Sequence, residues 1–465
     1  MMNMNKPSDT PSARAWYSLG VMVALFFAAN VDRTIISILI GPIKSDLGLD
    51  DFSVSLLMGA AFGVSYVACA LPFGWAGDRF PRPVLLAIGI CIWSIGCASG
   101  GFVMTFTGLF LARTMVGAGE ACLTPIAHPL ISDLFPRRKI PTAIAIYNFS
   151  GSVGGALAFV IGGFIADVAL RMGGASLPFV GELRPWQLAL ILVGLPGLPL
   201  AIACLVTLPE PRNLASRAAG VLNVARMDPL PRQPLGEFVS RHRLLIVCHF
   251  LGFGIAMLVT LGIAAWLPQF MERSFKWSLT QIGTAMAVLV LGGGFIGQFM
   301  SVKAIERLTS AGYKDAALRA FIFALIGGVA ASCVAFMANT PTISVVGILF
   351  SIIFLHPVTT YGSSALQLFV PSNLRGRLSG VFVTVIYLMG MGLGPSAIAF
   401  VTRFLLKDES QLDNSLLIVS VMGQILAIAL LAIALAPMSR AIREIEGDGI
   451  VSDDVRQAAM ETVGA

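Results

Sequence analysis

The sequence predicts an all-α membrane protein of 12 transmembrane helices, arranged as two pseudo-symmetric six-helix bundles. Three observations predict it. Hydrophobic residues make up 56% of the 465 and charged residues only 12%, with a mean hydropathy of +0.84, well outside the range of soluble domains. Apolar windows of about 20 residues, long enough to cross about 30 Å of hydrocarbon as helices, recur twelve times. A polar connection rich in proline and arginine separates the first six windows from the last six.

The first six windows cover about 16–41, 52–76, 83–104, 106–131, 140–168 and 186–208, and the last six about 243–270, 279–303, 316–338, 342–367, 376–402 and 414–437. The first is too long for a secretory signal, is interrupted by Asp32 and Arg33, and leads straight into the second, so it is expected to stay in the mature protein. Between Pro209 and Arg243 the apolar pattern stops, and Arg212, Arg217, Arg226, Arg232, Arg241 and Arg243 take its place. The expected organisation is therefore a bundle over 1–208, a cytoplasmic linker over 209–242, a second bundle over 243–438 and a polar, solubilising cytoplasmic tail over 439–465. Two such bundles suit a carrier whose substrate site lies between them near the midplane.

Orientation follows from the basic residues. With the N-terminus inside, 22 of the 31 Lys and Arg residues fall on the cytoplasmic side. Seven (Lys44, Arg171, Arg184, Arg273, Lys276, Arg403 and Lys407) fall outside, and Arg33 and Arg113 lie within spans. Both termini are expected in the cytoplasm, in a multi-pass protein of a bacterial-type inner membrane. The net charge of +6 then belongs to short loops that can also touch anionic membrane lipid, and no nucleic-acid partner is implied. All seven cysteines fall within spans without metal-ligand spacing and read as small core residues. Neither a metal nor a cofactor is expected.

Charges inside the spans point to a pathway. A charge at the centre of a bilayer helix costs about 2.5 to 3.5 kcal/mol on insertion scales, so Asp32 and Arg33 should face protein or a water-filled cavity. Glu120, near the middle of the fourth span, is disfavoured there as a lone carboxylate and would tend to carry a proton; the alternative is a permanent ion pair tying two helices together. Arg33 keeps its charge and can hold phosphate or carboxylate through two parallel hydrogen bonds. It can equally pair with Glu120, and substrate and Glu120 could then compete for it. Asp32, about 100° around the helix from Arg33, needs another partner and is a second candidate proton site. Arg113, seven residues before Glu120, lies about 10 Å away along the helix and is expected to tune the field around Glu120 or to anchor the outer end of the span. His128 is the best functional candidate among the histidines. Tyr147, Asn148, Thr360, Tyr361 and Tyr387 are polar positions on spans five, ten and eleven that could line a cavity for substrate.

An internal repeat supports the two halves. The stretch Asp133 to Ala158 has a counterpart from Gln367 to Ala397: Leu-Phe, a basic turn, an apolar helix carrying a Tyr, then clustered glycines, which sets the fifth and eleventh spans in equivalent positions.

The turn Gly74-Trp75-Ala76-Gly77-Asp78-Arg79-Phe80-Pro81-Arg82 resembles the G-x-x-x-D-R-x-x-R signature of the major facilitator superfamily. A weaker second copy stands at Ile305-Glu306-Arg307, and Arg113-x3-Gly117-x-Gly119 resembles a further superfamily signature. Within the superfamily, Arg113 to Phe135 together with Asp32-Arg33 looks most like the spinster family of lysolipid and sphingosine-phosphate transporters. The resemblance is dense over 16–165 and thin after Pro209. It implies a cytoplasmic gate in which Asp78, with Arg79 and Arg82, closes against the helix start near Arg375 and Arg377, with Asp133 as an additional partner and Gly74 in the same turn.

The expectation is thus a monomeric, proton-coupled carrier of an anionic amphipathic small molecule or lipid, such as a lysophospholipid or a sphingosine-phosphate-like lipid. Anion symporters of the superfamily also carry an Asp-Arg pair in the first span, which keeps a sugar-acid or carboxylate symporter as the alternative. Span five lacks a pair like Gly394-Pro395, which weakens a drug exporter. No H-E-x-x-H, no G-x-S-x-G and no paired metal-ligand cysteines argue for an enzyme, and one central charge cluster suits a gated site better than a pore.

Overall fold

The computed structural model describes residues 11–77, 79–136, 139–173, 175–177, 181–210, 235–371 and 374–463. Among them, eleven helical stretches are long and apolar enough to cross a membrane: Ala13–Ile38, Asp51–Gly77, Arg82–Gly100, Thr142–Arg171, Pro185–Thr207, Arg243–Phe275, Leu279–Ser310, Ala316–Met337, Pro341–Phe369, Arg375–Leu406 and Glu409–Glu444. The expected fourth span is instead two shorter helices, Phe106–Glu120 and Leu123–Leu134. Pro125 explains the interruption, because its missing N–H and its ring both forbid a helical bond to the Ala121 carbonyl four residues back.

Local signals start and stop these helices. Ser12 accepts a hydrogen bond from the Ala15 N–H at 3.1 Å and opens the first span, as an N-cap serine does. Gly48, with φ of +61°, takes the left-handed conformation that closes the following short helix, Ile40–Leu47, at little steric cost. Asp50 caps the second span by accepting from the Ser53 N–H at 2.8 Å. Serines and threonines inside the spans bond their own backbone, as Ser65 does to the Ala61 carbonyl and Thr114 to the Phe110 carbonyl, so their hydroxyls need no water.

The repeat read from the sequence has a local structural counterpart. In the first copy the Pro136 carbonyl accepts from the N–H groups of Lys139 and Ile140; in the second the Pro371 carbonyl accepts from Leu374 and Arg375. Each turn launches a helix, Ile140–Arg171 and Arg375–Tyr387. The weaker signature copy at Ile305-Glu306-Arg307 lies inside a helix that continues to Ser310 rather than in a turn. The last helix begins at Leu412 and runs through Pro437 to Val463, so helix continues past the expected end of the last span.

The chain forms two compact units. One comprises Met1–Ala225, Gly262–Leu291 and Met391–Ser415; the other Arg226–Leu261, Gly292–Gly390 and Leu416–Ala465. Hence the sequence-distant ends of spans seven, eight and eleven pack with the first half of the chain. Within the first unit glycines bring backbones together. A Cβ on Gly63 would stand 2.6 Å from the Gly392 nitrogen, and one on Gly163 2.6 Å from the Leu279 carbonyl oxygen, so spans two and eleven, and five and eight, touch main chain to main chain. The second unit is centred on an aromatic cluster in which Phe253 stacks on Phe321 at 4.9 Å and buried His249 lies among Phe250, Phe253, Phe369 and Phe382.

Candidate functional site

Span four approaches span three through a bare face. A Cβ on Gly119 would stand 2.5 Å from the Trp93 nitrogen and 2.6 Å from the Gly89 carbonyl oxygen. Gly117 is equally tight, its missing Cβ pointing at the Phe62 carbonyl of span two. Glycines at these two positions therefore set how deeply span four sits, and with it the place of Glu120. At that residue the helix stops, and the Ala121 N–H bonds back to Gly117 and the Cys122 N–H to Gly119.

Here Arg33 of span one donates from Nε to Glu120 Oε2 at 2.5 Å. The Glu120 side chain has no solvent exposure, while that of Arg33 retains 22%, so one partner is sealed in and the other keeps an open edge. The structure joins the anion-binding and proton-carrying candidates in the pair that the sequence left as one of two alternatives for Arg33. Arg113 is buried and does not pair with Glu120; its Nη1 donates to the Asp32 main-chain carbonyl at 3.2 Å. It thus stitches span four to span one. Asp32 is buried, with the Cys97 side chain of span three beside its carboxyl. Oδ1 of Asp32 and Oε1 of Glu120 are buried without a hydrogen-bond partner, an arrangement costly for charged oxygens.

Tyr147 stacks on Phe26 at 5.0 Å, meets His128 edge-on at 5.5 Å, and buries its hydroxyl without a partner. Asn148 lies outside the residues whose side chains are described. Thr360, Tyr361 and Tyr387 belong to the other unit. There Thr360 exchanges hydrogen bonds with Gln298 at 2.8 and 3.1 Å, Tyr361 packs on Phe321 at 5.0 Å, and Tyr387 is half-buried.

In the turn after span two, Asp78 lies outside the described residues. Gly74 has room for a side chain, Arg79 is exposed with its guanidinium 4.1 Å over the Trp75 ring, and Arg82 pairs with Asp133 at 2.5 Å. The Arg82 N–H also donates to Glu210 at 2.6 Å, a partner the sequence reading missed. In the second unit Arg375 donates to the Val370 carbonyl at 2.9 Å and Arg377 is exposed. Among the described residues no group of His, Cys, Asp and Glu could hold a metal ion.

A second charged cluster, also missed, sits at the opposite end of the first unit. Arg273 donates to both oxygens of Asp51, at 2.7 and 2.8 Å, and to the Glu409 carbonyl at 3.0 Å. Lys44 bridges Asp51, at 2.6 Å, and the Glu409 carboxylate, which also accepts the Asp51 N–H at 2.9 Å. Arg403 and Asp50 add a pair at 3.3 Å. A cavity of about 370 Å³ lined by Gln269, Glu272, Arg273, Lys276 and Trp277 opens beside it. The sequence held a signal: Lys44, Arg273 and Arg403 are three of the seven basic residues on the side that the charge count leaves poor in them. At that end Asp167 accepts from the Thr280 hydroxyl, joining span five to span eight.

Comparison with known proteins agrees with this architecture. The profile of the Major Facilitator Superfamily matches residues 21–395. The chain is 32% identical over 154 residues to the protein spinster of Drosophila melanogaster, covering 33% of this chain and 25% of that protein. It is 30% identical over 253 residues to spinster homolog 1 of Mus musculus, covering 52% and 43%. The matches thus span less than half of these relatives. A "Probable L-galactonate transporter" of Escherichia coli (strain K12) is 28% identical over 283 residues, 58% of each chain. Among solved structures, a bacterial homolog to the human lysosomal transporter Spinster, inward-facing and unoccupied, superposes with a TM-score of 0.74 at 22% identity, covering 93% of this chain and 98% of that one.

Proposed function

We propose, for a chain that belongs to the Major Facilitator Superfamily and is accordingly an integral membrane secondary transporter most like the spinster proteins, that it carries an anionic amphipath, such as a lysophospholipid or a sphingosine-phosphate-like lipid, coupled to proton binding at Glu120. One observation carries the reading: the Arg33–Glu120 pair, with the carboxylate sealed and the guanidinium partly open. Protonation of Glu120 removes its charge, and Arg33, whose charge is permanent, is released to take the substrate's phosphate or carboxylate through parallel N–H donors. When the anion leaves, Arg33 reclaims Glu120 and the proton departs. Asp32 is a second proton carrier, and Arg113, bonded to the Asp32 main chain, and His128, further along span four, tune the field around Glu120. Tyr147 and Asn148, with Thr360, Tyr361 and Tyr387 from the second half, supply polar contacts to the substrate.

The two gates are read in the same terms. With both termini in the cytoplasm, the Lys44–Asp51–Arg273–Glu409 cluster is the outer gate, and opening to the outside breaks it. The turn carrying Gly74, Asp78, Arg79 and Arg82, with Asp133 and the start of span eleven at Arg375 and Arg377, is the inner gate. The functional halves are 1–208 and 243–438, joined by a linker over 209–242.

A second reading, a sugar-acid symporter, is favoured by the likeness to the L-galactonate transporter. It uses the same charges with a smaller substrate. Transport in proteoliposomes under an imposed pH gradient decides, with labelled lysophosphatidylglycerol and labelled hexuronate run in parallel. Lysolipid movement that follows the gradient and is lost in Arg33→Ala and Glu120→Gln is the expected result. Hexuronate movement alone would transfer the mechanism to the second reading, and coupling intact in Glu120→Gln would sink the exchange itself.

A further inference from the structure

Phe62 and Tyr66 stand four residues apart on span two, so their rings leave the helix on one face, one turn from each other. The ring centroids are 5.7 Å apart and the planes only 24° from parallel, giving a nearly continuous aromatic surface. The Arg33 guanidinium lies 5.1 Å from the Phe62 centroid and 5.3 Å from that of Tyr66. Phe62 also has the Arg113 guanidinium 5.6 Å away. A ring face is the negative part of an aromatic quadrupole and attracts a cation most strongly where water is excluded. The shelf and the carboxylate share one mount, because Gly117, which sets the depth of span four, packs on the carbonyl of Phe62 itself.

We propose that Phe62 and Tyr66 are positioning residues for the anion-binding step: they hold the Arg33 guanidinium in place while Glu120 is protonated and its attraction is gone. The inference rests on the exchange of Arg33 between Glu120 and the substrate proposed above. An arginine whose Glu120 partner has been neutralised would be drawn toward water or toward the carboxylate of Asp32, and the arriving anion would have to recapture it. A ring face does not lose its attraction when a proton binds nearby, so the shelf keeps the site preorganised in both protonation states. Pairing with Glu120 offsets part of the guanidinium's charge, so the rings attract it more strongly once Glu120 is neutral; without them the neutral state becomes less favourable relative to the paired one, and more acid is needed to reach it. The charged and titratable groups around Glu120 are Arg33 and Asp32 from span one, Arg113 and Cys122 from span four and Cys97 from span three, while Tyr147 of span five faces Arg33 and Tyr66. A change at Tyr66 from ring to aliphatic side chain leaves all of those in place.

The test measures uptake of labelled lysophosphatidylglycerol and labelled hexuronate against pH, using the full chain in proteoliposomes as wild type, Tyr66→Leu, Tyr66→Phe, Phe62→Leu and Glu120→Gln. For whichever probe moves, Tyr66→Leu is expected to shift the midpoint of the profile toward acid by about one pH unit, the effect of losing one cation–ring contact, and to raise KM by about tenfold. Tyr66→Phe, which keeps the ring, should overlay the wild type. Phe62→Leu, checked for monodisperse elution, should shift in the same direction. A fall in maximal rate alone, with midpoint and KM unmoved, would overturn the shelf, as would Tyr66→Phe behaving like Tyr66→Leu. The two ideas fail separately: a pH profile that survives Glu120→Gln overturns the exchange, whereas a profile lost in Glu120→Gln but unmoved in Tyr66→Leu overturns only the shelf.

Discussion

Arg273 grips Asp51 with two parallel hydrogen bonds, Nη1 to Oδ2 at 2.8 Å and Nη2 to Oδ1 at 2.7 Å, across 222 positions of sequence. The Asp51 side chain is wholly buried and that of Arg273 one-quarter exposed. Asp51 is also the first residue of its helix, where a negative charge is favoured by the helix dipole. The end of span seven is therefore fastened to the start of span two by geometry as well as charge.

Arg273→Lys should not restore this fastening, because an ammonium lacks the planar fork that meets both carboxylate oxygens. Thermal unfolding of the purified protein in detergent should show Arg273→Gln and Arg273→Lys both destabilised, by about 1 to 3 kcal/mol, below the 3 to 5 typical of a fully buried pair because Arg273 is partly wet. A lysine variant as stable as wild type would show that charge alone holds the cluster.

Gly63→Ala tests a backbone contact about 18 Å further along span two, beside Phe62. The added Cβ meets only main-chain atoms of Met391 and Gly392, which cannot swing aside as a side chain can, so a cost of about 1 to 3 kcal/mol is expected. Transport should fall while the protein still elutes as one species, and a cysteine introduced beside Asp51 should label faster from outside. Unchanged labelling would refute the view that this crossing must close.

Arg33 and Glu120 should respond unequally to truncation. Glu120→Ala leaves a partly open guanidinium that has no neutral form, whereas Arg33→Ala leaves a sealed carboxyl that does. Glu120→Ala is expected to lower stability by about 2 kcal/mol more than Arg33→Ala at pH 7, read as the difference in unfolding free energy. Equal losses would show that a guanidinium without Glu120 costs no more here than a carboxyl that can take up a proton.

Asp50 supplies a pH signature outside the spans. Burial pushes its carboxyl up, but the hydrogen bonds from Ser53 and the charges of Arg403 and Lys44 outweigh that and hold it below its ordinary value. A group depressed in the folded state stabilises above its unfolded pKa, about 3.9, and that contribution is lost as pH falls through the folded value. Asp50→Ala should thus cost about 1 kcal/mol at pH 7, as loss of an N-cap does. The gap from wild type should narrow as pH is lowered toward 3; a gap independent of pH would show that the carboxylate's charge contributes nothing.

The membrane class, all spans but the fourth, and the anomaly of Asp32, Arg33 and Glu120 as charges within spans were legible in the sequence alone, because a charge in a run of some twenty apolar residues is anomalous wherever that run ends up. The break in span four at Pro125 was not read from the sequence, because the length of the apolar run concealed it. Partnership was decided by the tertiary structure. Nothing local tells Arg33 to meet Glu120, 87 positions away, rather than a substrate alone, since periodicity places a residue on a helix face but leaves open which neighbour that face meets. The Lys44–Asp51–Arg273–Glu409 cluster was illegible for the same reason: each member reads singly as an ordinary charge at a helix end. Phe62 and Tyr66 were the least legible, because aromatic residues on a membrane helix look like lipid contacts until the helix is rotated against its neighbour and a guanidinium is found over their rings.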